Sequence, residues 1–206
     1  MQVEELVESI FASVQWDCWR FMLPAKPLLK LDIAVVSHGH ADHWHPNFGL
    51  KNLVLVPWKA TIPAGYNGRN ILKVGELRVL GKMSFKCIDA ALLNSFIGRK
   101  VPTPHAFWWL ATASTARVLF IGDMNAEDAE TARLFVREAR ARGLTLAGAL
   151  LPSFGGVSGH SARDPRELAR AVGELAASLR EKYGLVIGGL PHPVNAQWAN
   201  YNAVRI

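Results

Sequence analysis

Val3, Leu6, Val7, Ile10, Phe11 and Val14 recur at the i, i+3, i+4 spacing of one helical face, which predicts an amphipathic helix over residues 2 to 15. The period then shortens. Cys18 to Leu23 reads as a short strand stopped by Pro24 and Pro27, Asp32 to Val36 as a buried strand, and Leu53 to Val56 as another. Ile71-Val74, Leu77-Leu80 and Met83-Ile88, separated by Gly75 and Gly81, predict an antiparallel meander. Phe107 to Thr112 and Arg117 to Ile121 flank the turn-prone Ala113-Ser114-Thr115 and predict a strand pair.

The second half changes rhythm. Asn125 to Arg142 has a helical pattern with Gly143 as its stop, and Leu144 to Leu151 is an apolar strand ending at Pro152. Asp164-Pro165-Arg166-Glu167 combines a cap residue, a proline at the first helical position and an acid at the third; the helix it starts runs to Tyr183 and stops at Gly184. Leu185 to Leu190 reads as a final strand and Asn195 to Ile206 as a closing helix. Strands first, then strand and helix alternating, suggest an α+β fold of two sheets packed face to face with helices outside. The length of 206 residues suits a single domain spanning 1-206.

Composition changes this picture little. Half of the residues are hydrophobic and 19% are charged, ordinary for a globular protein and wrong for a disordered one. No apolar run has the roughly 18 residues of a membrane span. The start, Met-Gln-Val-Glu-Glu-Leu, is acidic and lacks a basic segment before an apolar one, so no signal peptide is expected and the cytoplasm is the expected location. Cys18 and Cys87 are far apart and outside any Cys-x-x-Cys spacing, which favours buried reduced thiols. The net charge of +6 and pI near 9.6 favour a small anionic substrate. Basic residues are spread along helices (Arg133, Arg137, Arg140; Arg166, Arg170, Arg180), as on solvated faces, so nucleic acid is the less favoured partner.

The candidate chemistry is concentrated in one place. Four of the seven histidines fall within Ser37 to His45, Ser-His-Gly-His-Ala-Asp-His-Trp-His, directly after the apolar run Ile33 to Val36. Imidazole and carboxylate are ligands that a borderline ion such as Zn²⁺ prefers, and a strand ending in His38, His40, Asp42 and His43 delivers all four to one sheet edge.

This His-x-His-x-Asp-His run, after Asp32-Ile-Ala-Val-Val-Ser, resembles the signature of the metallo-β-lactamase superfamily. Three later features fit in the same order: His105 before a strand, Asp123 in Val-Leu-Phe-Ile-Gly-Asp, and His192 in Gly-Gly-Leu-Pro-His. Leu151-Pro152-Ser-Phe-Gly155-Gly156, then a helix and Pro191-His192, is similar to the branch that includes L-ascorbate-6-phosphate lactonase. The resemblance covers roughly residues 31 to 198. It implies an αββα sandwich of two mixed sheets flanked by helices, the metallo-β-lactamase fold, with a shortened N-terminal part. It further implies one metal held by His38, His40 and His105, a second held by Asp42, His43 and His192, and Asp123 bridging them. Three neutral imidazoles leave an open coordination position, and two ions about 3.5–4 Å apart share an activated hydroxide. Asp42 then orients that hydroxide or passes a proton. An aspartate at the bridging position looks more like the lactonase, thioesterase and phosphodiesterase branches than the antibiotic-hydrolysing ones. Zn²⁺, two per chain, is the expected cofactor, and Mn²⁺ or Fe²⁺ would satisfy the same ligands.

Plainer roles compete at several positions. Asp123 could cap the helix that follows, and His105 and His192 could be half-buried histidines with ordinary partners. His45 and His160 match no ligand position. His160 follows the glycine-rich stretch 155–159 and is the first candidate for a substrate contact. Asp32 is a candidate for orienting a ligating histidine. Trp44, Trp58, Trp108 and Trp109 read as core or rim aromatics rather than a substrate platform.

The chain departs from the family in one respect: only 37 residues precede His38, where relatives place several antiparallel strands. If the opening helix is real, the first sheet is trimmed, leaving an open pocket or an edge that a second subunit covers, so a homo-oligomer is possible. The expected function is a metal-dependent hydrolase of a lactone, ester or phosphate-bearing small molecule. The alternatives are a small nucleic-acid phosphodiesterase and a metal-stabilised binding module without turnover.

Overall fold

The computed structural model describes residues 2–17, 33–37, 53–57, 71–100, 108–122, 124, 126–152, 165–190 and 204–205. In chain order these form α1 (Val3–Ser13), β1 (Gln15–Trp16), β2 (Ile33–Val35), β3 (Leu53–Pro57), β4 (Ile71–Leu72), β5 (Leu77–Leu80) and β6 (Met83–Ile88). Then come α2 (Ala90–Ile97), β7 (Trp108–Ala113), β8 (Ala116–Ile121), α3 (Ala126–Ala141), β9 (Gly148–Pro152), α4 (Pro165–Tyr183), β10 (Val186–Leu190) and β11 (Val204–Arg205). The described strands make a four-stranded sheet, β1-β2-β3-β4, and a seven-stranded one, β11-β10-β9-β8-β7-β6-β5.

The opening helix forms as its pattern predicts. Glu4 and Glu5 sit in the first turn, where the helix dipole favours acids, and Glu5 Oε2 accepts the Gln2 backbone N–H at 2.9 Å. Val7, Ile10 and Phe11 are buried against one face of the large sheet. Two glycines make that approach possible: a Cβ at Gly148 would lie 2.6 Å from Val7 Cγ1, and one at Gly188 would lie 2.8 Å from Phe11 Cε2.

The middle of the large sheet, from β7 to β9, is buried on both faces, which accounts for its apolar runs, while the edge strand β5 leaves Leu77 and Val79 exposed. Trp109, Ala111, Val118 and Phe120 point toward α1 and the small sheet. Trp16 joins the two sheets there, its ring centroid 4.9 Å from that of Phe120 and 6.4 Å from that of Phe85. Trp108, Leu119 and Ile121 point the other way, into a second core with α2, α3 and α4. Phe135 of α3 links that core, 6.2 Å from Trp108 and 5.1 Å from Phe96. The described layers are therefore helices, large sheet, then small sheet together with α1. Among the described residues no helix is long and apolar enough to cross a membrane.

Several expectations need correction. Ile71–Leu72 is not part of a meander: it pairs in parallel with β3, Val56 opposite Ile71, and belongs to the small sheet. Only β5 and β6 form the antiparallel hairpin there. Val204–Arg205 is a strand rather than helix, pairing antiparallel with Gly188 and Gly189. Alternation identifies a strand but carries no information about its partner, and a short stretch such as 201–206 has too few positions to separate the periods. Helix α2 has no counterpart among the elements expected from the sequence, although Asp89 caps it by accepting Leu92 N–H at 2.9 Å and Gly98 ends it in the left-handed region at φ 79°. The strand expected at 18–23 lies outside the described residues. The opening helix α1 is present, and β1 is the one strand described ahead of β2.

Candidate metal centre

Strand direction decides which ends of the large sheet meet. β8, β9 and β10 run parallel, with Phe120 beside Leu150 and Pro152 beside Leu190. β7 runs antiparallel to β8, so its first residue, Trp108, lies beside the last residue of β8, Ile121. One rim of the sheet thus gathers the start of β7 and the ends of β8, β9 and β10. In sequence, His105 lies three residues before Trp108, Asp123 two after Ile121, and His192 two after Leu190.

The small sheet delivers β2 to the same rim. Val36, just past β2, donates its N–H to Leu55 O at 2.9 Å and accepts the Trp109 indole N–H at 3.1 Å. Ser37 follows and packs against Gly122. A Cβ on Gly122 would fall 2.2 Å from Ser37 Oγ and 2.4 Å from Ser37 Cβ, so only glycine lets the two segments approach this closely. Gly122 immediately precedes Asp123, and Ser37 immediately precedes His38.

Asp17 completes this contact from below. Its backbone N–H donates to Val35 O at 2.8 Å, extending the parallel β1–β2 pairing by one residue. The chain then turns through φ 52° at Asp17, a region that non-glycine residues enter at a cost of roughly 1–3 kcal/mol. The turn accompanies a carboxylate that grips one neighbour twice: Oδ1 accepts Ser37 N–H at 2.7 Å and Oδ2 accepts the Ser37 hydroxyl at 2.9 Å. Both residues are fully buried. Asp17 and Ser37 come from the small sheet and Gly122 from the large one, and the three meet beside the positions where the sequence motifs begin.

The nine candidate residues His38, His40, Asp42, His43, His45, His105, Asp123, His160 and His192 lie outside the described residues, as do Asp32, Trp44 and Trp58. The structure describes the strand ends that flank them. Trp108 and Trp109 are core residues, each 0% exposed, as expected. Cys87 is a free, buried thiol; burial above all, and Asp89 next, push its pKa far above the ordinary range, so it stays protonated. A cleft lined by Val136, Arg140, Leu144 and Tyr183 opens near the starts of β9 and β10, at the other end of the large sheet from this rim. Sequence reasoning misses the contact that Asp17, Ser37 and Gly122 make beside the candidate residues. Asp17 stands in no motif, and its only signal is an acid directly after the apolar Trp16.

No protein-family profile matches the chain, and no curated protein matches it. Several solved structures resemble it in part, two of them named for a metal-dependent hydrolase. One is a protein of Parabacteroides distasonis ATCC 8503, provisionally named a metal-dependent hydrolase: 14% identity, TM-score 0.41, 82% of this chain and 77% of that one. The other is a possible metal-dependent hydrolase of Veillonella parvula DSM 2008: 12% identity, TM-score 0.43, 76% of this chain and 60% of that one. At such scores neither likeness bears on what this chain does.

Proposed function

We propose that the chain is a metal-dependent hydrolase with a metallo-β-lactamase-like αββα architecture, cleaving a lactone, ester or phosphate-bearing small molecule at a dinuclear centre. His38, His40 and His105 would hold one cation and Asp42, His43 and His192 the other, with Asp123 as a further carboxylate ligand. The observation that carries the reading is the common rim. The described strand ends next to His38, His105, Asp123 and His192 belong to two sheets and distant parts of the sequence, yet they meet at one edge. The donor set fits a metal, since it combines neutral imidazoles with carboxylates.

A pair of divalent cations, when bound, supplies Lewis acidity and water acidic enough to ionise near neutral pH. The chain's own residues do the rest. Asp42 holds and moves the proton of the attacking water, and His160 contacts the substrate. The net charge of +6 draws an anionic substrate toward the rim.

The test is a panel of lactones, activated esters and cyclic phosphodiesters offered to zinc- and manganese-loaded protein. Turnover that disappears in His38→Ala and His40→Ala supports the reading. Full metal occupancy without hydrolysis of any panel member rejects it in favour of a binding module. Cleavage confined to single-stranded RNA or DNA, with affinity that collapses as salt rises, rejects it in favour of a nuclease.

A further inference from the structure

We infer that β5 is the seam of a homodimer, pairing antiparallel with β5 of a second copy so that the large sheet continues from one chain into the next. β5 ends that sheet, bonded to β6 on one side and to no other described strand. Among the described residues three large apolar side chains are strongly exposed, and two of them, Leu77 at 59% and Val79 at 63%, stand on one face of this strand. Open edges are ordinarily blunted by lysine, proline or an inward charge, whereas this one carries apolar groups at alternate positions. The backbone is oriented to match. The two-residue loop Gly81–Lys82 closes on Leu80 opposite Met83, with Gly81 at φ 59°. Such a loop closes on a pair that exchanges both backbone bonds, and the alternation makes Arg78 and Phe85 the next such pair. Gly75 N–H, donating to Cys87 O at 2.8 Å, shows the same alternation further along β6. The N–H and C=O of Leu77 and Val79 therefore point away from β6, to the open edge.

A second copy fits this edge because β5 is complementary to itself. With a two-fold axis at Arg78, Leu77 lies opposite the partner's Val79, and Val79 opposite the partner's Leu77. Both pairs exchange their outward backbone bonds, and the exposed apolar side chains of the two chains close over one another on one face. On the other face Glu76 accepts from Arg78 at 3.2 Å within the chain. Its diagonal neighbour across the seam is the partner's Arg78, so two carboxylates balance the two guanidinium groups that the axis brings together. A slip of two residues would set Leu77 against the partner's Gly81, which is in the turn. Dimerisation through β5 is independent of the proposed chemistry.

Analytical ultracentrifugation of the full chain over about 5–500 µM reads the association, since so short a seam belongs with the smaller, weaker interfaces. The wild-type chain is expected to pass from monomer to dimer across this range. Leu77→Lys and Val79→Lys, at exposed positions outside the core, should each weaken the dimer by about tenfold or more. Urea unfolding at low concentration checks that each variant folds. Arg78→Cys reads the register: the two Cβ atoms at the axis lie about 4.5–5.5 Å apart, close to the span of a disulfide, so oxidation links the two chains. Glu174→Cys, exposed on α4, should give no such link. A wild-type chain that stays monomeric throughout overturns the inference and leaves the edge to another occupant. So does a dimer that either lysine variant keeps at wild-type strength, or one that Arg78→Cys fails to cross-link. Should the lysine variants not fold, the double variant Leu77→Thr, Val79→Thr, which keeps strand-forming character, decides: a dimer weakened about tenfold supports the inference and an unchanged one overturns it.

Discussion

A single added methyl group at Gly122 should be among the most damaging small changes to this protein. In Gly122→Ala the new Cβ would lie 2.2 Å from Ser37 Oγ, 2.4 Å from Ser37 Cβ and 2.9 Å from Asp17 Oδ2. Ordinary contact begins roughly an ångström further out, and Asp17 and Ser37 are 0% exposed, so neither can swing into solvent. Forcing a methyl into such a site costs roughly 1–3 kcal/mol. Displacing Ser37 enough to break one of its two bonds to the Asp17 carboxylate adds about 1.5–3 kcal/mol. The sum, about 2.5–6 kcal/mol, is a large share of the roughly 5–15 kcal/mol by which such domains are stable. Ser37→Gly alone removes one hydroxyl bond and should cost about 2 kcal/mol. It also removes the two Ser37 atoms that the methyl of Gly122→Ala would strike. The double variant should therefore be less stable than Ser37→Gly by no more than about 1 kcal/mol, a coupling of roughly 1.5–5 kcal/mol. Urea unfolding followed by tryptophan fluorescence measures this, with Trp16, Trp108 and Trp109 reporting on both cores. If the two substitutions simply add, to within about 0.5 kcal/mol, the three-residue contact does not exist as described.

Gly173 is the opposite case: it lies inside α4 with nothing within 4 Å of an added Cβ and no positive φ. Gly173→Ala should stabilise the chain by roughly 0.5–1 kcal/mol, raising Tm by a few degrees in calorimetry. Cys87 makes stability depend on alkaline pH. Its folded pKa is raised above the ordinary value of 9.0, so the unfolded chain loses this proton first. Stability is then complete below about pH 9 and falls above it, by at most about 1.4 kcal/mol per pH unit. Cys87→Ala should show a flatter profile above about pH 9 in parallel urea titrations, and identical slopes for the two proteins would contradict the burial of the thiol.

The long periodic elements are legible because the chain states both their pattern and their ends. α3 and α4 stop before Gly143 and Gly184, at φ 74° and 68°, and the β7–β8 hairpin turns at Ser114, at φ 52°. What a local pattern cannot state is pairing. Nothing in Ile71–Leu72 announces β3 rather than β5 as its neighbour, because that choice is made by tertiary burial of Leu72 between the sheets. The candidate centre divides in the same way. The ligand types in His38 to His43 are visible as a cluster because they are adjacent in sequence. Asp17 is not visible, since its meaning lies in a contact with Ser37 twenty residues away that exists only once β1 and β2 pair. Gly122 is legible as half of a Gly-Asp strand ending, but its role in admitting Ser37 is a matter of closest approach, which no spacing encodes.

The most direct test of the account is the metal content of the purified chain, by elemental mass spectrometry after dialysis against a weak chelator. The account predicts about two equivalents of zinc, manganese or iron per chain, falling in Asp123→Ala and lost when His38 and His40 are both replaced by alanine. A folded wild-type chain that carries none of these ions, and takes up none from millimolar zinc or manganese, would contradict it.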